Sequence, residues 1–219
     1  MTGFNIMGWI EIAEILKSRW QPGIGGPMIV GIGGGSGSGK SSYADLLQDA
    51  LRPLRTEVIN LDRFFKPPAE MPSYYSTPHG ENRPNFNHPE SFRREEMIDY
   101  CRRFVSPETV DVDVVIVEGI LALYFAELRS LMHLRCYIQV PLEQMLARRL
   151  QRNLAAGYGG TEAEIEWYNR ECVSPEHQRF NAPTALHGDV LISNADGDGV
   201  ERDRALADTC RAIRGARAP

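Results

Sequence analysis

Residues 33–41 read GGGSGSGKS: five glycines, three serines and one lysine in nine positions. Within them Gly34, Gly39, Lys40 and Ser41 complete the pattern G-x-x-x-x-G-K-S/T. Glycine lets a backbone curl until successive N–H groups converge on one anion, and a helix that starts where the curl ends adds the positive end of its dipole. These residue types suit a triphosphate cradle made of Gly34, Gly35, Ser36, Gly37, Ser38 and Gly39, with Lys40 reaching the β and γ phosphates. Ser41 and Ser42 would open the helix, and the Ser41 hydroxyl could ligate Mg2+. The apolar run at 29–33 before the cradle and the helical spacing after it are the context that such a loop requires.

Two carboxylates end apolar runs of the same kind. Asp62 in INLDRFF closes a second strand, and Glu118 in VVIVEGIL closes a third. Strand ends of a parallel sheet share one rim, so both would lie beside the phosphate cradle. A carboxylate there can orient and deprotonate an alcohol attacking the γ-phosphate, which fits Asp62, while Glu118 fits the acidic partner of a metal ion. The plainer alternatives are a turn cap for Asp62 and a solvated strand end for Glu118. Arg148, Arg149 and Arg152 follow on one helix, with 149 and 152 sharing a face, and are candidates to clamp the triphosphate. His88 precedes Pro89 and reads by itself as a helix-entry residue.

The elements that must position these groups alternate. Strands are expected at 29–33, in EVINL, VDVVIV and RCYIQV, and in DVLIS. Helices are expected near 40–51, 90–104, 123–131, 142–154 and 200–214. Such a series implies an α/β fold with a parallel sheet covered by helices on both faces. Residues 8–19 put Trp9, Ile12, Ile15 and Leu16 on one face of an amphipathic helix, ended by QPGIGGP, so 1–27 reads as a helical preface and linker. Two segments break the series. Residues 66–88 are too long and proline-rich for an ordinary connection and read as a functional or disordered loop whose aromatics favour function. Residues 153–183 begin with AAGYGG, pass through the helical TEAEIEWYNREC and read as a lid.

Composition narrows the classes. A formal net charge of -5 argues against a general binder of nucleic acid or anionic membrane, and Glu11 and Glu14 interrupt the first apolar stretch, so no signal peptide or spanning helix is expected. Cys101, Cys136, Cys172 and Cys210 have neither C-x-x-C nor metal-ligand spacing and read as reduced thiols of a cytoplasmic protein. A guanine-reading N-K-x-D does not occur, the chain having lysines only at 17, 40 and 66, and the DGDG at 196–199 reads as a turn. Self-association into a homo-oligomer is left open.

Taken in order, GGGSGSGKSS, NLDRFF, NFNHPESF, VIVEGILALY and ARRLQRN resemble the uridine kinase family over roughly residues 28–195. The resemblance implies a P-loop NTPase fold with a five-stranded parallel sheet and a helical lid, residues 28–219 forming the kinase domain. It implies transfer of phosphate from ATP or GTP, with Mg2+, to a hydroxyl of a small acceptor such as uridine or cytidine. It further implies the base role for Asp62, a metal role for Glu118, triphosphate contacts for Arg149 and Arg152, and an acceptor site including Phe65, Asn87 and His88, beside which the long loop would bring the aromatic faces of Tyr74, Tyr75 and Phe86. Asn87 stands where the family carries a ribose-binding aspartate, and an amide keeps hydrogen bonds there without charge assistance. The pyrimidine-reading β-hairpin that the family places between 100 and 113 has no counterpart in MIDYCRRFVSPET, and AAGYGG replaces the arginine pair that opens the family's lid. LDRFFKP is similar to nicotinamide riboside kinases. An acceptor such as that riboside, and a non-catalytic ATP-binding regulator, are the alternatives these departures raise.

Overall fold

The computed structural model describes residues 7–22, 26–105 and 111–217. After helix α1 (Trp9–Arg19), strand β1 (Met28–Gly34) runs into the glycine loop and helix α2 (Lys40–Ala50). Strand β2 (Thr56–Asn60) ends in a 3-10 turn at Leu61–Phe64, followed by a short antiparallel pair, β3 (Ser73–Ser76) and β4 (Glu81–Pro84). Helix α3 (Arg94–Arg102), β5 (Val114–Glu118), α4 (Ala126–Leu131), β6 (Leu134–Gln139) and α5 (Leu142–Ala155) come next. The next segment, which includes most of the expected lid at 153–183, holds α6 (Glu162–Tyr168), a π turn at Asn169–Val173, the short α7 (Ser174–Glu176) and further π and 3-10 turns to His187. Strand β7 (Val190–Ser193) and helix α8 (Gly199–Arg217) complete the order.

The main sheet is five-stranded and parallel, in the order β2-β5-β1-β6-β7. Strands β1 and β5 are buried along their whole length, as their uninterrupted apolar runs require when helices cover both faces. One face packs Ile12 and Leu16 of α1, and Trp20 just after it, with Tyr43 and Leu47 of α2 and Ile213 of α8. The other packs Phe64, Phe92, Met97, Leu123 and Tyr137. The Arg19 and Arg135 guanidiniums both grip Asp189, fastening α1 to the β6–β7 side of the sheet.

Some expected boundaries move. The third helix starts at Arg94 rather than near 90, because Pro89–Ser91 form a separate 3-10 turn. The fourth starts at Ala126, because Gly119–Ala122 and Leu121–Tyr124 close as turns. The larger difference lies in residues 66–88. This segment is an ordered hairpin, with Tyr74 opposite Arg83 and Tyr75 opposite Asn82, closed by the turn Thr77–Gly80. The four cysteines are free and buried. No helix of the described residues is long and apolar enough to cross a membrane.

Candidate active site

Register brings the acidic groups together. Glu118 pairs with Ile32 on β1 and with Asn60 on β2, so it ends β5 level with the last residue of β2 and two residues short of the end of β1. Two residues beyond Asn60, the chain turns. The Asn60 side chain caps that turn by accepting the Asp62 N–H at 2.7 Å, so the cap is Asn60, and the exposed Asp62 carboxylate carries no hydrogen bond among the described residues.

The cradle is as tight as its glycines imply. Gly37 has φ +91°, and a Cβ there would lie 2.3 Å from the Met145 carbonyl oxygen on α5. Gly39, at φ +89°, precedes α2 without a side-chain cap, leaving the first-turn N–H groups open to an anion. The loop is fixed from behind, where Asn194 donates to the Ser38 carbonyl at 2.8 Å. Ser38 itself is buried with an unpartnered hydroxyl, while Ser36, Lys40 and Ser41 line a cavity of about 530 Å³. Gly34, Gly35 and Ser42 belong to the loop and the first helical turn without facing this cavity.

Glu118 is buried beneath it. One carboxylate oxygen accepts the Ser41 hydroxyl at 3.0 Å and the other has no partner. Burial raises its pKa, opposed by the nearby Lys40 ammonium and the Ser41 hydrogen bond. An orphaned hard oxygen beside a serine hydroxyl fits Mg2+, which needs only one or two protein ligands when phosphates supply the rest. Among the described residues no group of three or more acidic, histidine or cysteine side chains is placed to hold a metal ion by itself.

Asp62, Phe65, Tyr74, Asn87, Arg149 and Arg152 line the same cavity. Arg149 is buried, donates to the Asn169 side chain and stacks 4.9 Å from the Tyr168 ring, with burial pushing its pKa down. Arg152 reaches Ser36 at 3.5 Å. Asn87 donates to the Tyr168 hydroxyl at 3.0 Å, which ties the loop after β4 to the end of α6.

Three expectations are corrected. His88 does not line the cavity: its Nδ1 accepts the Glu90 N–H and its ring packs edge-on against Phe180, so it is a turn cap. Arg148 faces away, donating to the Asn194 carbonyl at 2.7 Å and pairing with Asp196. Tyr75 is 61% exposed, because neighbouring strand residues point to opposite faces and Tyr74 takes the inner one. The cavity also gains His79, Arg83, Tyr158 and Glu164, which the sequence reading had not singled out. The alternation in SYYS followed by the turn-forming TPHG was the available signal for the hairpin.

A glycine cradle after the central strand of a parallel sheet, with a buried carboxylate and a free one at its rim, defines a P-loop phosphotransferase. The family model described as Phosphoribulokinase / Uridine kinase family matches residues 72–199. A uridine kinase of Bacillus pumilus is 31% identical over 192 residues, covering 81% of this chain and 91% of that protein. Uridine-cytidine kinase B of Dictyostelium discoideum is 30% identical over 191 residues, covering 76% and 74%. The fold is shared with a phosphoribulokinase from Rhodobacter spheroides at TM-score 0.58 and 13% identity, covering 77% of this chain and 70% of that one. The chain belongs to the phosphoribulokinase / uridine kinase family and is a phosphotransferase with a hydroxyl acceptor.

Proposed function

We propose that the protein transfers the γ-phosphate of ATP or GTP, with Mg2+, to a hydroxyl of a nucleoside or a closely related small metabolite. The carrying observation is that the unpartnered Asp62 carboxylate and the Lys40 ammonium wall one cavity, large enough for an acceptor beside a triphosphate. Asp62 takes the acceptor O–H proton as that oxygen bonds to the γ-phosphorus and the bond to the β-phosphate oxygen breaks, releasing the diphosphate. Lys40 stabilises the charge developing on the transferred group, and Arg149 and Arg152 approach from the lid side. Ser41 and Glu118 would hold magnesium, which supplies charge neutralisation at the phosphate oxygens.

Phe65, Tyr74 and Phe86 offer aromatic faces to the acceptor, and Asn87 keeps its amide oxygen for an acceptor hydroxyl while its N–H is engaged by Tyr168. Arg83 on the same wall works against a cationic base, which favours a neutral or acidic acceptor over nicotinamide riboside. Incubation with Mg2+ and ATP against uridine, cytidine, adenosine, nicotinamide riboside and ribose, with product read by mass, tests this. Phosphorylated product from at least one nucleoside is expected. Tight ATP binding without any product across that panel would replace this reading with a nucleotide-binding regulator.

A further inference from the structure

The hairpin turn is fastened to the lid at two points. The Thr77 N–H lies 3.2 Å from each carboxylate oxygen of Glu171. His79 sits with Nε2 at 3.1 Å from Glu164 and Nδ1 at 2.8 Å from the Ser76 hydroxyl. The other Glu164 oxygen accepts both the N–H and the hydroxyl of Thr161 at 2.8 Å, capping α6. Glu164 therefore serves the lid helix and the hairpin at once. The Thr161 N–H above all holds its pKa down, to about 2, so at neutral pH it only accepts, and His79 Nε2 must carry a proton.

With both ring nitrogens engaged, His79 has no polar atom left for a ligand although it lines the cavity. It acts through what it holds. The hairpin face it steadies presents Tyr74 and Arg83 to the acceptor space, and Tyr74 packs 5.3 Å from Tyr168 of the lid. Tyr168 in turn holds Asn87 and covers Arg149. Directly before Thr161, Gly157, Gly159 and Gly160 all have positive φ, between +62° and +90°, and form the segment about which the lid can turn.

We propose that the hairpin Ser73–Pro84 is this chain's acceptor-reading element, and that His79 is a positioning residue clasping it to the lid so that acceptor and nucleotide bind cooperatively. The hairpin and the lid are then ordered as one body, so whichever ligand binds first removes part of the ordering cost for the second. By linkage the gain is the same in either order. The acceptor half of this proposal rests on the function proposed above, whereas the clasp does not.

Amide hydrogen exchange tests both halves, with a non-hydrolysable ATP analogue plus Mg2+ and uridine as probes. In the unliganded protein, His79→Ala should speed exchange over residues 73–84 by about two- to fivefold, the factor that one intramolecular hydrogen bond supplies, and His79→Gln should restore much of the protection. In the wild type the analogue should slow exchange in the hairpin as well as in residues 34–42. In His79→Ala only residues 34–42 should respond. The analogue should also tighten uridine binding in the wild type, by a factor that falls toward one in His79→Ala. Equal hairpin exchange in the two unliganded proteins, or protection of 34–42 with none in the wild-type hairpin, would overturn the proposal. Absence of protection at 34–42 would instead overturn nucleotide binding itself, and the unliganded comparison keeps the two failures apart.

Discussion

At the proposed phosphate end of the cavity, Ser36, Lys40 and Ser41, with Glu118 bonded to Ser41, are placed by adjacent strands and one unbroken loop. At the proposed acceptor end, Tyr74, Asn87 and Tyr168 come from three separate segments held by side-chain contacts. The first end uses backbone register and glycine conformations that leave little room for adjustment, since even one added Cβ at Gly37 meets a carbonyl. The second uses an exposed hairpin and a lid preceded by three glycines of positive φ. A phosphotransferase needs the same triphosphate geometry for any acceptor, so on the proposed reading the difference places specificity on the segments that side-chain contacts, not strand register, hold together.

The sharpest break of this comparison is Lys40→Ala. In the proposed reaction Lys40 faces developing phosphate charge, so turnover should fall about 10²–10³-fold while the fold is kept. Near-normal turnover would remove the phosphate end from the chemistry. Asp62→Asn should lower kcat by about 10²-fold or more with ATP affinity unchanged, as when a general base is lost. A selective loss of ATP affinity in that variant would move Asp62 to the nucleotide side.

Glu118→Gln should separate function from stability. The half-unpartnered buried carboxylate is unfavourable without its cation, so the amide should raise the melting temperature in EDTA by about 2–4 °C, the response of a chain this size to ~1 kcal/mol. It should also raise the Mg2+ concentration needed for half-maximal turnover, and an unchanged Mg2+ titration would contradict the metal role. Arg83→Ala has the smallest expected effect. Arg83 is partly exposed, its nearest described carboxylate being Glu81 at 3.9 Å, so the uridine to nicotinamide riboside ratio of kcat/KM should fall by roughly fivefold. A ratio that does not move would mean that Arg83 does not meet the base.

Much of the phosphate end was legible because its signals are local. G-x-x-x-x-G-K-S between a strand and a helix leaves the chain few conformations, and the apolar runs ending in Asp62 and Glu118 bring both carboxylates to one rim in any parallel sheet. The acceptor end was legible only in composition. The aromatics of 66–88 pointed to a functional loop, but four-residue strands flanked by prolines carry too little periodicity to announce a hairpin. The family's hairpin position at 100–113 lies partly outside the described residues. The arginines show the same limit. Helical spacing groups Arg149 with Arg152, yet Arg148 goes to the Asn194 carbonyl for a reason 46 residues away.

By itself, then, the sequence determined the parallel α/β sheet, the glycine loop between β1 and α2 and the rim carboxylates, because hydrophobic period and glycine freedom act over a few neighbouring residues. Only the tertiary structure decided that His88 caps a turn, that Tyr74 rather than Tyr75 faces inward, and that His79 joins the hairpin to Glu164. Those outcomes depend on which distant partner satisfies each polar group once water is displaced, and spacing along the chain does not encode that choice.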